Sequence, residues 1–269
     1  MKRFLLRYGS LALLGLLPFF SGCQTNPVTG RSGLALVSDE SLQGVAVQQF
    51  DQMKAELPVS RDPQRNATTV RVSHRIIKAA RDAGYPLDPP EAWEIVVFDQ
   101  PDTLNAFAMP GNKIGVYTGM WRVFEQEDDM AVVLAHEVAH VVSRHAVERV
   151  STQVFTGLGA AAIGVAIPDE DIRLATLGLY SIGSNVAGLS YSRTHESEAD
   201  EIGLEFMARA GYDPRRAVNF WEAMQRESGG GARPPEFLST HPHPETRIND
   251  IKVQLPRVLP LYEASQARR

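Results

Sequence analysis

A five-residue run, HEVAH, places two histidines and a glutamate close together. His136 and His140 are four residues apart, so on a helix both imidazoles lie on one face, one turn apart. Two neutral imidazoles at this spacing can bind one zinc ion. Glu137 lies about 100° round the helix from His136, near the metal but not stacked with the two ligands. This position suits a general base acting on water, so the run predicts a catalytic zinc site.

The residues that flank this run are apolar, which predicts that the helix is buried. They are Val132, Val133, Leu134, Val138, Val141 and Val142. Buried imidazoles and a buried carboxylate are costly unless something compensates them, and a metal ion does so. The alternative is a chance match on a helix with exposed histidines, and the apolar flanks argue against it.

A catalytic zinc site needs a third protein ligand and keeps one position open. His145 is close in sequence, but on a continuous helix it would lie about 140° round the axis from His140. We therefore expect His145 to support a ligand from behind or to lie at the surface.

The strongest candidate for the third ligand is Glu196, in the segment SRTHESEAD at residues 192–200. Glu196 and Asp200 are four residues apart and share a helix face, so one can bind zinc while the other holds the ring N–H of a zinc-binding histidine. Glu198 points about 200° away from Glu196 and is a weaker candidate. His195 is a rival ligand. A solvated acidic face is the alternative for the whole segment.

These motifs resemble the HtpX and CAAX-prenyl-protease type of gluzincin zinc metallopeptidases. The resemblance lies in HEVAH followed by Arg144-His145, and in SRTHESEAD followed by Glu201-Ile202-Gly203. Three further segments resemble the periplasmic lipoprotein branch of that family: NPVTGR at 26–31, NAF at 105–107 and HP at 241–242. Some periplasmic members carry a C-terminal helical-repeat domain, for which we expect no room in this chain.

The resemblance implies a zinc-dependent endopeptidase with one zinc ion per chain. It implies zinc ligands at His136, His140 and Glu196, a general base at Glu137 and a supporting carboxylate at Asp200. The expected substrates, again by resemblance, are unfolded or misassembled proteins of the bacterial envelope.

The segment THPHPETR, at residues 240–247, adds two candidate catalytic residues through the resemblance. His241 and Arg247 would approach the substrate carbonyl and stabilise the developing oxyanion. The alternative is that Arg247 simply pairs with an acidic residue and that His241 caps a turn. His243 has no assigned role.

A predicted hairpin provides a candidate binding site for the substrate. Gluzincins bind an extended substrate along a strand edge, by backbone hydrogen bonds. The strand that precedes the turn signal PGN, at residues 110–112, is the candidate edge in this chain. We assign substrate binding to Asn105, Ala106, Phe107 and Ala108.

The N-terminus has the pattern of a secretory signal peptide: a basic start, an apolar stretch at residues 11–20 and small residues before Cys23. Cys23 is the single cysteine of the chain. Its position predicts lipidation, which would hold the protein at a membrane without a spanning helix. The alternative is an ordinary signal peptide with a bystander cysteine. Gln24 after the cysteine favours the periplasmic face of the outer membrane, by what is known of lipoprotein sorting.

The charge of the chain argues against nucleic acid as a partner. Removing residues 1–22 takes away three basic residues and no acidic residue, which leaves 24 basic and 32 acidic residues and a net charge of −8. An acidic chain lacks the basic surface that nucleic acid binding requires.

The elements that must position these residues predict an α+β fold that is mostly helical, a gluzincin core with a small antiparallel sheet edging the active-site cleft. Strands are predicted at 93–98 and 114–118, and helices at 38–56, 67–83, 129–150, 195–210, 214–226 and 244–255. The predicted organisation is a signal peptide at 1–22, a lipidated linker at 23–37, a metallopeptidase domain at 38–257 and a C-terminal tail at 258–269.

Residues 154–190 are rich in glycine, alanine and leucine, and a polar PDED segment divides them into two pieces. Neither piece has a clean membrane-spanning length. The composition is compatible with a lid, with a membrane-dipping hairpin or with a buried helical hairpin, of which we favour the last.

Two rival functions stay open at this point. The first is an envelope chaperone or assembly factor whose zinc site is latent, with His241 in the open position of the metal. The second is a purely structural zinc site, against which Glu137 argues because such a site needs no base and usually closes with four ligands.

Overall fold

A computed structural model describes residues 22–164, 191–228, 235–242 and 244–268. Residues 1–21 of the predicted signal peptide, His243 and the glycine-rich break at 229–231 lie outside the described residues. So does most of the segment 154–190, whose interpretation as lid, hairpin or core stays open.

The segment predicted as a lipidated linker, residues 23–37, contains a short hairpin. Strands β1 (Cys23–Thr25) and β2 (Ser32–Leu34) pair antiparallel. Asn26 lies between them and is buried; its Oδ1 accepts hydrogen bonds from the backbone of the turn. Its Nδ2 donates to the carbonyl of Ser143, 3.0 Å away. The turn-rich sequence therefore docks on the protein because Asn26 satisfies a buried carbonyl.

The first two helices carry their own start signals. Helix α1 (Asp39–Glu56) follows Ser38, whose side chain accepts from the Ser41 N–H. Helix α2 (Pro63–Asp82) begins four residues before the predicted Ala67. Asp62 caps it by accepting from two backbone N–H groups, and the proline in its first turn needs no donor there.

The sheet has three strands, β3 (Glu94–Phe98), β4 (Ala106–Met109) and β5 (Lys113–Tyr117), in the order β3-β5-β4. The predicted hairpin is confirmed: β4 and β5 pair antiparallel around Gly111 and Asn112, both with positive φ. The prediction of a wholly antiparallel sheet is wrong, because β3 pairs parallel with β5. The chain crosses to the far edge to form β4 and returns between the two, so β5 runs in the direction of β3.

The single helix predicted for 129–150 is two helices. Helix α3 (Glu127–Val142) carries HEVAH, and helix α4 (His145–Gly164) follows it. The break lies at Ser143 and Arg144, where Arg144 takes a left-handed conformation with φ 57°. A single residue of this kind changes the direction of the chain, so His145 does not continue the surface of α3.

Four further helices complete the described part of the chain: α5 (Arg193–Arg209), α6 (Arg216–Ser228), α7 (Glu236–Thr240) and α8 (Pro244–Gln266). The predicted end of the last helix near Leu255 is wrong. Pro256 and Pro260 lie inside α8, and the residues 258–266 assigned to a tail belong to it. A proline removes one helical donor without ending the helix when packing compensates, and Val258 between them is fully buried.

Helix α3 lies at the centre of the fold, with α2, α5, α6 and strand β4 packed round it. Thirteen of its sixteen residues are buried, as the apolar flanks of HEVAH predict. A second apolar cluster lies between α1, α4 and the far face of the sheet, and contains Phe50, Phe98, Phe107 and Tyr117. The α+β, mostly helical fold is confirmed. Within the described ranges, no helix is long and apolar enough to cross a membrane.

Candidate metal centre

Helices α3 and α5 and the end of α7 bring four possible metal ligands together. The ligand atoms of His136, His140, Glu196 and His241 all lie within 4.8 Å of one another. The Nε2 atoms of His136 and His140 are each 3.5 Å from the Glu196 carboxylate. All four residues are buried, and none is more than 3% exposed. Three of these side chains were predicted as ligands from the sequence.

Close packing of α5 against α3 sets the distance between Glu196 and the two histidines. A Cβ atom at Gly203 would lie 3.0 Å from the backbone nitrogen of His136 and 3.1 Å from its Cα. Backbone cannot yield as a flexible side chain does, so only glycine lets the two helices approach this closely. Gly203 was part of the motif by which the chain resembles the gluzincins, and its position explains why a glycine is needed there.

Glu137 directly follows His136 on α3 and lies beside the cluster. Its Oε2 accepts from the backbone N–H of Ala108 at 3.1 Å, which ties α3 to strand β4. Its Oε1 is buried and has no hydrogen-bond partner among the described residues. The nearest ring nitrogen is Nε2 of His241, at 3.3 Å. A buried carboxylate oxygen without a partner is costly, so it points to a group that this site is built to meet.

Asp200 and Arg247 lie behind His136. Asp200 Oδ1 is 3.0 Å from Nδ1 of His136, the contact expected of a residue that orients a metal ligand. Arg247 donates to both oxygens of Asp200 and to Glu196 Oε2 at 2.6 Å, and stacks over the ring of Trp221. Its donors are thus used by two carboxylates. The geometry favours the alternative in which Arg247 pairs with acidic residues over a contact with the substrate carbonyl.

His241 lies inside the cluster rather than at its rim. Its Nδ1 is 3.0 Å from Glu196 Oε1 and 3.2 Å from Nε2 of His136, while its other nitrogen faces Glu137. Its backbone ends α7, where its N–H donates to the carbonyl of Phe237. The backbone of His241 thus ends α7, while its side chain lies among the possible metal ligands.

The protonation of the cluster follows from burial and from its charged neighbours. Burial and Arg247 lower the pKa of His136, but hydrogen bonds to Asp200 and Glu196 outweigh them and raise it to about 9. Burial holds the pKa of His140 well below its usual value. Burial alone would raise the pKa of Glu196, yet His241 and Arg247 keep it well below the usual range. A metal that binds here meets an ionised carboxylate and displaces a proton from His136.

A second polar network, behind His140, was largely missed by the sequence reasoning. His145 is fully buried, with its Nδ1 2.9 Å from Nδ1 of His140. Its Nε2 is 2.8 Å from Glu198 Oε2, and Glu198 accepts in turn from Arg31. Burial raises the pKa of Glu198, but the hydrogen bonds from His145 and Arg31 lower it to about 2. The expectation that His145 supports a ligand from behind agrees with this position, although it was reached by assuming a continuous helix.

The rival ligand His195 does not join the cluster. Its Nε2 is 3.2 Å from Glu148, in the same second network, and its ring stacks on that of His145. The ring of Tyr191 stacks on His140 at 3.8 Å. No sequence signal identified Tyr191, because it precedes α5 and reaches the site only through tertiary packing.

Strand β4 lies at the edge of the sheet, next to the cluster. The N–H groups of Ala106 and Ala108 both point away from β5: one donates to Asn105 Oδ1 and the other to Glu137. Phe107, between them, packs into the aromatic cluster on the far face. Asn105 donates its amide to Glu236 at the start of α7. The segment proposed for substrate binding is therefore an edge strand beside Glu137.

The donors present fit a zinc ion. Two imidazoles and a carboxylate are a usual catalytic set, and a fourth ligand, the imidazole of His241, would give the number that closed sites have. The convergence of these donors in a buried place and the partnerless Oε1 of Glu137 both agree with a metal at this position.

Comparison with known proteins identifies the family. Residues 63–254 match the sequence profile of peptidase family M48. The chain belongs to this family. It is 32% identical over 264 residues to the mitochondrial metalloendopeptidase OMA1 of Schizosaccharomyces pombe, an alignment that covers 98% of this chain and 76% of the relative.

Bacterial and animal relatives are also similar. The chain is 28% identical over 272 residues to the beta-barrel assembly-enhancing protease of Yersinia pestis, covering 95% of this chain and 54% of that protein. It is 31% identical over 265 residues to the mitochondrial metalloendopeptidase OMA1 of Bos taurus, covering 94% of this chain and 50% of that protein. The chain thus spans about half the length of these two relatives. The protein is a metallopeptidase of family M48, and its buried histidine and glutamate cluster is compatible with a metal ion.

Proposed function

We propose that the protein is a zinc endopeptidase that binds one zinc ion through His136, His140 and Glu196. The observation that carries the proposal is the convergence of these three donors beside Glu137, whose Oε1 is buried without a hydrogen-bond partner. Zinc is proposed as the ion because two imidazoles and one carboxylate match its preferences.

The metal, when bound, would polarise the scissile carbonyl and promote ionisation of water. Glu137 accepts the proton of the attacking water, the peptide C–N bond breaks, and Glu137 gives the proton to the leaving amine. Asp200 holds His136 in the tautomer that presents Nε2 to the centre. Arg247 keeps Glu196 and Asp200 in place, and the edge of β4 aligns the substrate by backbone hydrogen bonds.

The substrates proposed are unfolded or misassembled proteins of the bacterial envelope. The support is the similarity to a protein named for enhancing beta-barrel assembly, and an edge strand that binds backbone places few demands on sequence. We also propose that lipid on Cys23 anchors the protein at the periplasmic face of the outer membrane. Cys23 is exposed in the N-terminal hairpin, where an attached lipid would not disturb the core.

Substitution of the general base tests the proposal. Glu137→Gln keeps the size and polarity of the side chain but cannot accept the proton, so cleavage of unfolded casein should fall at least about 100-fold. Zinc content, measured on the same samples, should not change. Glu40→Gln, at an exposed position in α1, is the matched control and should cleave like the parent. If both variants bind zinc and cleave equally, Glu137 is not the base.

A second candidate function has an observation in its favour. His241 occupies the cluster and all four donors are buried, so in this structure no donor faces solvent. This arrangement favours a latent centre in a chaperone or assembly factor, with His241 in the position that water or substrate would take.

Replacing His241 distinguishes the two functions. If His241 blocks the centre, His241→Ala should increase casein cleavage by the zinc-loaded protein, because an open position becomes available. If His241 takes part in the reaction, the same variant should cleave more slowly at equal zinc content. A parent protein that binds zinc, prevents aggregation of unfolded casein and cleaves none of it would favour the chaperone.

A further inference from the structure

The two histidines of HEVAH are supported in different ways. His136 contacts a carboxylate directly, with Asp200 Oδ1 3.0 Å from its Nδ1. The corresponding nitrogen of His140 contacts another histidine, His145, whose Nδ1 is 2.9 Å away. A metal-binding histidine must donate its second ring N–H to a partner that fixes its orientation. The orientation of the His140 ring therefore depends on which ring nitrogen of His145 carries the proton.

His140, His145 and Glu198 form a series of hydrogen bonds. The groups at its two ends, the metal and the Glu198 carboxylate, determine which ring nitrogens carry protons. If Nε2 of His140 is to present a lone pair to a metal, its Nδ1 carries the proton and donates to His145. His145 Nδ1 must then accept, so its proton lies on Nε2, which is 2.8 Å from Glu198 Oε2. A carboxylate only accepts, and it holds His145 in this tautomer.

Arg31 fixes the carboxylate at the far end. Its Nε donates to Glu198 Oε1 at 2.7 Å and its Nη2 to Glu198 Oε2 at 3.1 Å. The same guanidinium makes two bonds of 2.6 and 2.7 Å to Glu148 on α4. A planar fork with four hydrogen bonds to two carboxylates locks both of them in one geometry.

The N-terminal hairpin carries Arg31 and is itself firmly placed. Asn26 bonds the carbonyl of Ser143 at the α3–α4 break. The backbone of Gly33 lies so close to Glu148 that an added Cβ would be 2.6 Å from its carboxylate. The backbone of Leu36 donates to Ser151 on α4 at 2.8 Å. Two of these contacts, those of Asn26 and Leu36, hold this segment without taking part in the ion pairs of Arg31.

We propose that Arg31 is a positioning residue for His140, acting through Glu198 and His145. This inference rests on the proposed function, in which His140 binds the metal. The inference gives the NPVTGR segment a role. Its Arg31 holds Glu198, the last group in the series of hydrogen bonds that orients His140. Removal of Arg31 frees Glu198 to turn away, His145 loses its fixed tautomer, and His140 loses its acceptor.

Zinc affinity, measured by competition with a chelating indicator, tests the proposal. Arg31→Ala should weaken zinc binding about 10- to 100-fold, the usual effect of losing a partner of a metal ligand. Arg31→Lys keeps a positive charge that can reach Glu198, so its loss of zinc affinity should be smaller than that of Arg31→Ala. Arg216→Ala is the matched control, because Arg216 also pairs with two acidic residues, Asp129 and Glu125, and is similarly exposed. It should lower stability without changing zinc affinity.

A double-substitution cycle separates positioning from a general effect on the fold. In a His145→Phe background the series of hydrogen bonds that links Arg31 to His140 is already interrupted. Arg31→Ala should then cause no further loss of zinc affinity. Additive losses, or a parent-like affinity of Arg31→Ala, would overturn the inference. If Arg31→Ala does not fold, Arg31→Gln carries the same expectation. A parent protein that binds no zinc would instead contradict the proposed function itself.

Discussion

At the scale of single residues, the orientation of each proposed metal ligand depends on the side chain that contacts it from behind. His136 is held by Asp200, and Asp200 is held by Arg247, which also bonds Glu196. Arg247 thus connects two carboxylates with different tasks, and its stacking on Trp221 fixes it in the core. Loss of any of these partners acts on the metal through a ligand that is itself unchanged.

The carboxylate of Asp200 provides the prediction at this scale. Asp200→Asn retains an oxygen that can accept from His136, but its amide group can also turn to present a donor, and its charge no longer balances Arg247. Zinc affinity should fall about 10- to 100-fold, as measured by titration against a chelating indicator. Asp250→Asn, at an exposed position of α8, should bind zinc like the parent. Equal affinities for both variants would show that Asp200 does not orient His136.

At the scale of elements, two contacts with α3 define the site: α5 on one side and strand β4 on the other. Gly203 sets the first contact, since a Cβ there would lie 3.0 to 3.2 Å from the backbone of Ala135 and His136. The bond from Ala108 to Glu137 sets the second. The proposed ligands come from α3 and α5, so a small shift between these helices alters the spacing of the donors.

Gly203→Ala should therefore weaken both folding and zinc binding. Alanine favours a helix by about 1 kcal/mol over glycine, but the added methyl group meets buried backbone, which costs about 1–3 kcal/mol. Urea denaturation and zinc titration measure the two effects. Gly44→Ala is the control: it is also inside a helix, and nothing lies within 4 Å of the added Cβ. It should stabilise the protein slightly, whereas stabilisation by both substitutions would refute the packing argument.

The proposed role of the β4 edge in substrate binding can be tested by a substitution that leaves the proposed zinc ligands unchanged. Ala106→Pro removes an N–H that points away from β5 and restricts the strand. Casein cleavage should be lost while zinc content stays at the parent value. Ala106→Gly keeps the N–H and should retain cleavage. Intact cleavage by the proline variant would exclude this edge as the place where substrate binds.

At the scale of the whole molecule, the proposed metal site lies where the elements of the fold meet, so we expect metal binding and folding to be coupled. A ligand that binds only the folded state at 100 times its Kd stabilises it by about 2.7 kcal/mol. For a protein of this size a chelator should lower the Tm by roughly 5–10 °C, as followed by calorimetry. A His140→Ala variant should show no chelator-dependent shift. An unchanged Tm for the parent would mean that the purified protein holds no metal.

The features that depend on local spacing could be predicted from the amino-acid sequence. The two histidines of HEVAH are four residues apart, and so are Glu196 and Asp200. Because both pairs lie on helices, the helical period places the two members of each pair on one face. The apolar flanks of HEVAH indicated burial, and the turn at 110–112 indicated the hairpin. These features require no knowledge of distant contacts.

The tertiary structure decided the rest, because long-range contacts have no period in the sequence. Arg31 reaches Glu198 across 167 residues. One left-handed residue, Arg144, ends α3 and turns His145 back towards His140. The parallel pairing of β3 and the continuation of α8 past two prolines likewise follow from packing that local propensity does not encode. The proposed ligands follow from helix geometry, while the residues that contact them from behind became visible only in the folded chain.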